Sequence, residues 1–147
     1  MLATWYSELV EIAPDLRARF ERLRAVRDVV GPRMEALRRD KAIGSSLAAE
    51  VTLEAEGVLA SDLAALGDEL RFLLLTSEAS LGNVDSADEA TEIQGCKLRV
   101  AVAPTDHAKC VRCWHHRPDV GSDPAHPEIC GRCVQNVTGN GERRDWG

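Results

Sequence analysis

The chain has 147 residues, room for one compact domain or two small ones, and its 44% hydrophobic and 29% charged residues are an ordinary globular balance. That composition excludes wholesale disorder and a collagen-like repeat, and no apolar run approaches the ~20 residues that span a bilayer. The net charge of −6 is uneven: residues 15–41 carry nine Lys or Arg against five Asp or Glu, residues 50–92 carry Arg71 alone against eleven acids, and from Cys110 onward the count is five against five. Only the two ends are therefore candidates for meeting a polyanion. The opening MLATWYSELVEIAP lacks a basic stretch followed by an apolar one, so the expected location is cytoplasmic, with no membrane partner.

Apolar residues at Leu16, Phe20, Leu23, Val26, Val30, Met34 and Leu37 trace one face of a helix. Pro14-Asp15 opens it and Lys41–Gly44 closes it. Gly31-Pro32 interrupts it, and because proline costs about 3 kcal/mol inside a helix, a kink or two helices meeting there is expected. Its arginines, between residues 17 and 39, read either as a solvated face or as one turned toward RNA. Val51–Glu56 alternates as a half-buried strand, Ser61-Asp62 reads as the cap of a short helix over Leu63, Leu66 and Leu70, and the continuous run Phe72–Thr76 reads as a second strand. Residues 80–95 read as an acidic loop. Lys97–Ala103 is a third strand, ended by Pro104. The fold class expected is α+β: an N-terminal helix over 1–45, a small β-α-β-β junction layer over 46–104 and a metal-binding module over 105–147.

The last segment is poor in aliphatics and cannot bury enough apolar surface to offset its conformational entropy, so it needs a staple. Cys110-Val-Arg-Cys113 and Cys130-Gly-Arg-Cys133, with sixteen residues between them, have the spacing of a structural zinc site. Two such pairs supply four thiolates to one ion and leave no position open for a catalytic water. His115, His116 and His126 are weaker candidates as ligands, and a pair of redox dithiols is the rival reading of the four thiols. Cys96 stands apart and reads as a small buried hydrophobe. Arg112 and Trp114 flank Cys113, where an indole and a guanidinium on a rigid knuckle suit single-stranded nucleic acid. Equally, Trp114 is placed to cover the zinc site as its one sizeable hydrophobe.

Cys110-Val-Arg-Cys113-Trp114-His115, Val120-Gly121, His126-Pro-Glu-Ile-Cys130-Gly-Arg-Cys133-Val-Gln-Asn136 and Gly139–Arg143 together resemble the C-terminal zinc-binding region of bacterial isoleucyl-tRNA synthetases. Ile43–Val51 and Leu66–Ser77 are similar to the segments that join the anticodon-binding helical domain of that family to its tail, and Thr4-Trp5-Tyr6 fits the helical domain itself. The resemblance implies a part of a ligase that attaches isoleucine to its tRNA with ATP and magnesium and edits mischarged valine. The HIGH and KMSKS signatures of the catalytic domain are not in this sequence, so it reads as a C-terminal portion without catalytic residues. The resemblance further implies that the module closes on the anticodon stem-loop of the isoleucine tRNA, with Arg112 and Trp114 at the positions that meet anticodon bases. The other domains of the synthetase are the further partners it implies, with the chain expected to be a monomer. Arg143 and Arg144 read as solvated or as phosphate contacts. The rival from another class is a free-standing zinc-ribbon adaptor that binds a protein partner.

Overall fold

The computed structural model describes residues 11–84, 90–139 and 141–142, so Thr4-Trp5-Tyr6, Arg143 and Arg144 lie outside the described residues. Helix α1 (Pro14–Arg39) has Pro14 in its first turn, where a missing N–H costs nothing. Asp15 sits at the positive end of its dipole and Arg38 and Arg39 at the negative end. The helix runs unbroken through Gly31-Pro32, so the expected alternative of two helices is corrected. Val30 and Met34, on either side of the proline, are both buried against the core, and that packing outweighs the local penalty. Gly31 and Pro32 face solvent, which lets water reach the carbonyl that the proline leaves without a donor.

The apolar stripe of α1 is buried only in part. Leu23, Val26, Val30 and Met34 are inside, whereas Leu16 and Phe20 are 39% and 57% exposed. Leu16 and Phe20, on its first turns, line an open groove with Leu66, Phe72 and Leu73 instead of entering the core.

That layer is a four-stranded sheet in the order β2-β1-β4-β3. Strand β1 (Ala49–Ala55) pairs antiparallel with β4 (Cys96–Pro104), Leu53 opposite Val100, and parallel with β2 (Glu78–Leu81), Glu50 opposite Glu78. Helices α2 (Gly57–Ala64) and α3 (Leu70–Leu74) make the crossover that the parallel pair requires. Three expectations are corrected here. Phe72–Thr76 is not a strand: Leu70 and Leu74 bury one face of α3, and Leu75 ends it in the left-handed conformation at φ 57°. The strand comes next, at Glu78–Leu81, and its last two residues fall in the stretch 80–95 expected as loop. Strand β3 (Thr91–Ile93) also lies in that stretch, joined to β4 by Gln94-Gly95, whose φ values of 49° and 79° make a tight hairpin turn. Finally, Ser61 and Asp62 lie inside α2 rather than at its cap. The Asp62 carboxylate accepts from Arg22 Nε at 2.7 Å and sits 3.6 Å from Arg19, tying α2 to α1.

One apolar cluster joins α1, the sheet, α2 and α3, from Leu23 through Leu53 and Leu63 to Val100. Cys96 belongs to it, as expected of a buried hydrophobe, and packs where a Cβ on Gly57 would lie 3.3 Å from its sulfur. A second, much smaller cluster holds Cys110, Cys130 and Cys133, with Cys113, Val120 and Ile129 against it. Because the stripe ends at Leu23, Leu23→Ala should lower unfolding free energy by about 2–5 kcal/mol, and Phe20→Ala by less than about 0.5 kcal/mol, in urea titrations. Equal losses would mean that the first turns of α1 are packed as well.

Candidate metal centre and nucleic-acid interface

Residues 108–117 fold back as a short two-stranded turn. Arg117 N–H donates to Ala108 at 3.0 Å, Lys109 bridges His116, and Cys110 N–H donates to His115 at 2.9 Å. Its tip carries the first cysteine pair, and Trp114 N–H donates back to the Cys110 carbonyl at 2.9 Å. The second pair starts helix α4 (Gly131–Thr138), with Cys130 at the cap and Cys133 in the first turn. Asp119 Oδ2 accepts from Gly131 N–H at 2.9 Å, and a Cβ at that position would lie only 2.8 Å from the same oxygen. Gly131 is thus small because the carboxylate at the helix start needs its space.

All four sulfurs lie within 4.8 Å of one another. Cys110 and Cys133 are 3.7 Å apart, as are Cys113 and Cys130. A disulfide would need about 2.05 Å, so neither pair is disulfide-bonded. A tetrahedral ion with Zn–S near ~2.3 Å demands sulfur–sulfur edges of about 3.8 Å, which these two separations match. None of the three histidines joins this group among the described residues. His115 is buried, its Nδ1 3.1 Å from the Cys113 carbonyl, and its ring meets Phe72 edge-on at 5.8 Å.

The electrostatics fit a cation. Burial opposes ionisation of Cys110, but backbone N–H groups of Cys113, Cys130 and Arg112 outweigh it and bring the thiol down to about 6. Burial pushes the Cys113 thiol up, and burial together with the charge of Cys113 pushes Cys130 up. Sulfurs this close repel as anions, and a dication at their centre removes that repulsion.

Arg112 and Trp114 both stay exposed beside the cluster. One Arg112 nitrogen is 3.6 Å from Cys133 Sγ. Trp114, at φ 66°, is 61% exposed, and the Lys109 ammonium stands 5.8 Å from its ring centroid.

A zinc-finger profile, described as found in FPG and IleRS, matches residues 109–136. Over 99% of its length the chain is 49% identical to the isoleucine–tRNA ligase of Azotobacter vinelandii, and over 95% it is 52% identical to that of Shewanella amazonensis. It matches the C-terminal region of bacterial isoleucine–tRNA ligases. The chain spans about 16% of the length of the Azotobacter relative and 15% of the Shewanella one. No described helix is long and apolar enough to cross a membrane.

The module is fastened to the sheet layer by residues that composition and spacing did not single out. The fully buried Ser77 accepts from His116 N–H at 2.6 Å and donates to the Leu47 carbonyl. Arg117 donates to the Ser77 carbonyl at 3.2 Å and lies 3.6 Å from Glu78. The Phe72 ring takes His115 on its edge, Arg71 at 4.3 Å and Arg132 at 5.1 Å. Their signals are weak in sequence, because a serine after a helix and a half-buried phenylalanine are ordinary outside this geometry. Ser77→Ala would leave the His116 N–H without its acceptor, at a cost of about 1–3 kcal/mol. Faster amide exchange at His116 with zinc content unchanged is the expected result; unchanged exchange would mean that the hydroxyl does not fasten the module.

Proposed function

We propose that this chain is the C-terminal portion of an isoleucine–tRNA ligase that grips the anticodon stem-loop of the isoleucine tRNA. In this reading one structural zinc ion is held by Cys110, Cys113, Cys130 and Cys133, and Trp114 and Arg112 meet anticodon bases. The observation that carries it is the exposure of Trp114 on a backbone turn fixed by the cysteine knuckle. A rigid, uncovered indole stacks on a splayed base with little further ordering cost. The guanidinium of Arg112 has five N–H donors, and a contact to the Cys133 sulfur leaves others for a base edge or a phosphate.

Zinc here shapes the knuckle and performs no chemistry, since four thiolates close its coordination shell. Isoleucine activation with ATP and magnesium, and the editing of valine, belong to domains of the ligase that this chain does not contain. Those domains and the tRNA are its partners, and the setting is the cytoplasm, with the chain a monomer. Residues 1–45 serve as the helical end of the anticodon-binding domain, 46–104 as the α+β junction and 105–147 as the zinc-binding domain. The first two act as one body because α1 and the sheet share a core.

In a full-length ligase, Trp114→Ala should lower kcat/KM for charging by about 5- to 150-fold, the equivalent of ~1–3 kcal/mol of base stacking. Isoleucine-dependent ATP–pyrophosphate exchange and zinc content should both stay as in the wild type. Normal charging would overturn the reading, and zinc loss would make the indole a structural cover instead.

A further inference from the structure

The arginines around the zinc module other than Arg112, whose printed contact is the Cys133 sulfur, are paired with carboxylates. Arg71 is held by Asp68 at 2.7 Å, Arg132 by Glu142 at 2.5 Å, and Arg117 lies between Glu78 and Asp119 at 3.6 and 3.9 Å. Lys109 differs: no described carboxylate is within ion-pair distance of it, and its ammonium stands over the Trp114 ring. Both residues are fixed at the backbone. Lys109 is bridged to His116, and Trp114 is bonded to the Cys110 carbonyl across the metal-binding turn. An exposed cation–π contact is worth about 0.5–1 kcal/mol, enough to bias the lysine toward the indole and too little to hold it there against a phosphate.

We propose that Lys109 covers one face of the Trp114 indole, leaving the other face for a single unpaired base, and that its ammonium pairs with the phosphate beside that base. The proposal rests on the reading of the knuckle as an RNA site given above. A phosphate contact releases counterions and a stacked base does not, so the two residues should differ in how their loss depends on salt. With one ring face occupied by the lysine, only one base can stack, and Lys109 is a positioning residue for that base as well as a charge.

The test is a fluorescence-anisotropy titration of the zinc-loaded chain with a labelled RNA hairpin carrying the isoleucine anticodon loop, over a series of KCl concentrations. Lys109→Met should weaken binding several-fold at low salt and flatten the log–log salt slope by about 0.7, the value for one single-strand phosphate. Lys109→Arg should restore both. Trp114→Ala should weaken binding at every salt concentration with the slope unchanged, and one abasic loop position should abolish its effect. If Trp114→Ala weakens binding while Lys109→Met has the wild-type slope, or has lost zinc, the Lys109 proposal is overturned alone. Two abasic positions that each remove part of the Trp114 effect would overturn the single-face arrangement. If the wild-type chain does not bind the hairpin, or Trp114→Ala binds as tightly as wild type, the RNA reading itself fails and takes the Lys109 proposal with it.

Discussion

Four thiols drawn to within 4.8 Å of one another are the constraint on which the C-terminal module depends. Backbone N–H groups favour the Cys110 thiolate, while burial disfavours ionisation of Cys113 and Cys130. Without a cation such a cluster sets sulfur against sulfur. With one, the repulsion becomes the adhesive of a segment whose other core members among the described residues are Val120 and Ile129. Apolar burial of that size cannot order so long a stretch of chain, so the fold of the module and the affinity of its metal are one free energy.

The same constraint accounts for what the module displays. A knuckle pinned by metal does not need its tryptophan as a core residue, which leaves Trp114 free to be exposed at φ 66°. Its neighbour His115 takes the opposite part, turned inward onto Phe72. Adjacent residues on one turn thus face opposite ways, Trp114 outward and His115 inward. Attachment runs through Ser77, Phe72 and Arg117, so the orientation of the knuckle is referred back to β2, α3 and, through the shared core, α1. Glu50 and Glu78, opposite each other on parallel strands, would repel, but His107 and Arg117 lie 3.7 and 3.6 Å from them. Arg117 of the module is thus placed against the acidic edge of the sheet.

Much of this was legible in the sequence, for identifiable reasons. The cysteine spacing pointed to the cluster because two residues between thiols set their geometry almost regardless of context. Strands β1 and β4 were legible because one face of each is buried and the alternation is clean. Phe72–Thr76 misled because a short apolar run has no period of its own, and only the positions of Leu70 and Leu74 against the core decide for helix. Strand β2 was hidden because it holds four half-buried or exposed residues at a sheet edge, where the pattern carries little signal. The two-helix alternative at Pro32 failed because tertiary packing of Val30 and Met34 overrides local propensity. At the site, Ser77 and Asp119 escaped notice because each acts across a large sequence separation, on His116 and Gly131 respectively.

The most direct measurement of the central claim is zinc-edge X-ray absorption on the purified, zinc-loaded chain. The account predicts a first shell of four sulfurs at about 2.3 Å and no light-atom scatterer. A shell that mixes sulfur with nitrogen at about 2.0–2.1 Å would bring a histidine onto the metal. That result would contradict both the closed four-thiolate centre and the opposite facing of His115 and Trp114.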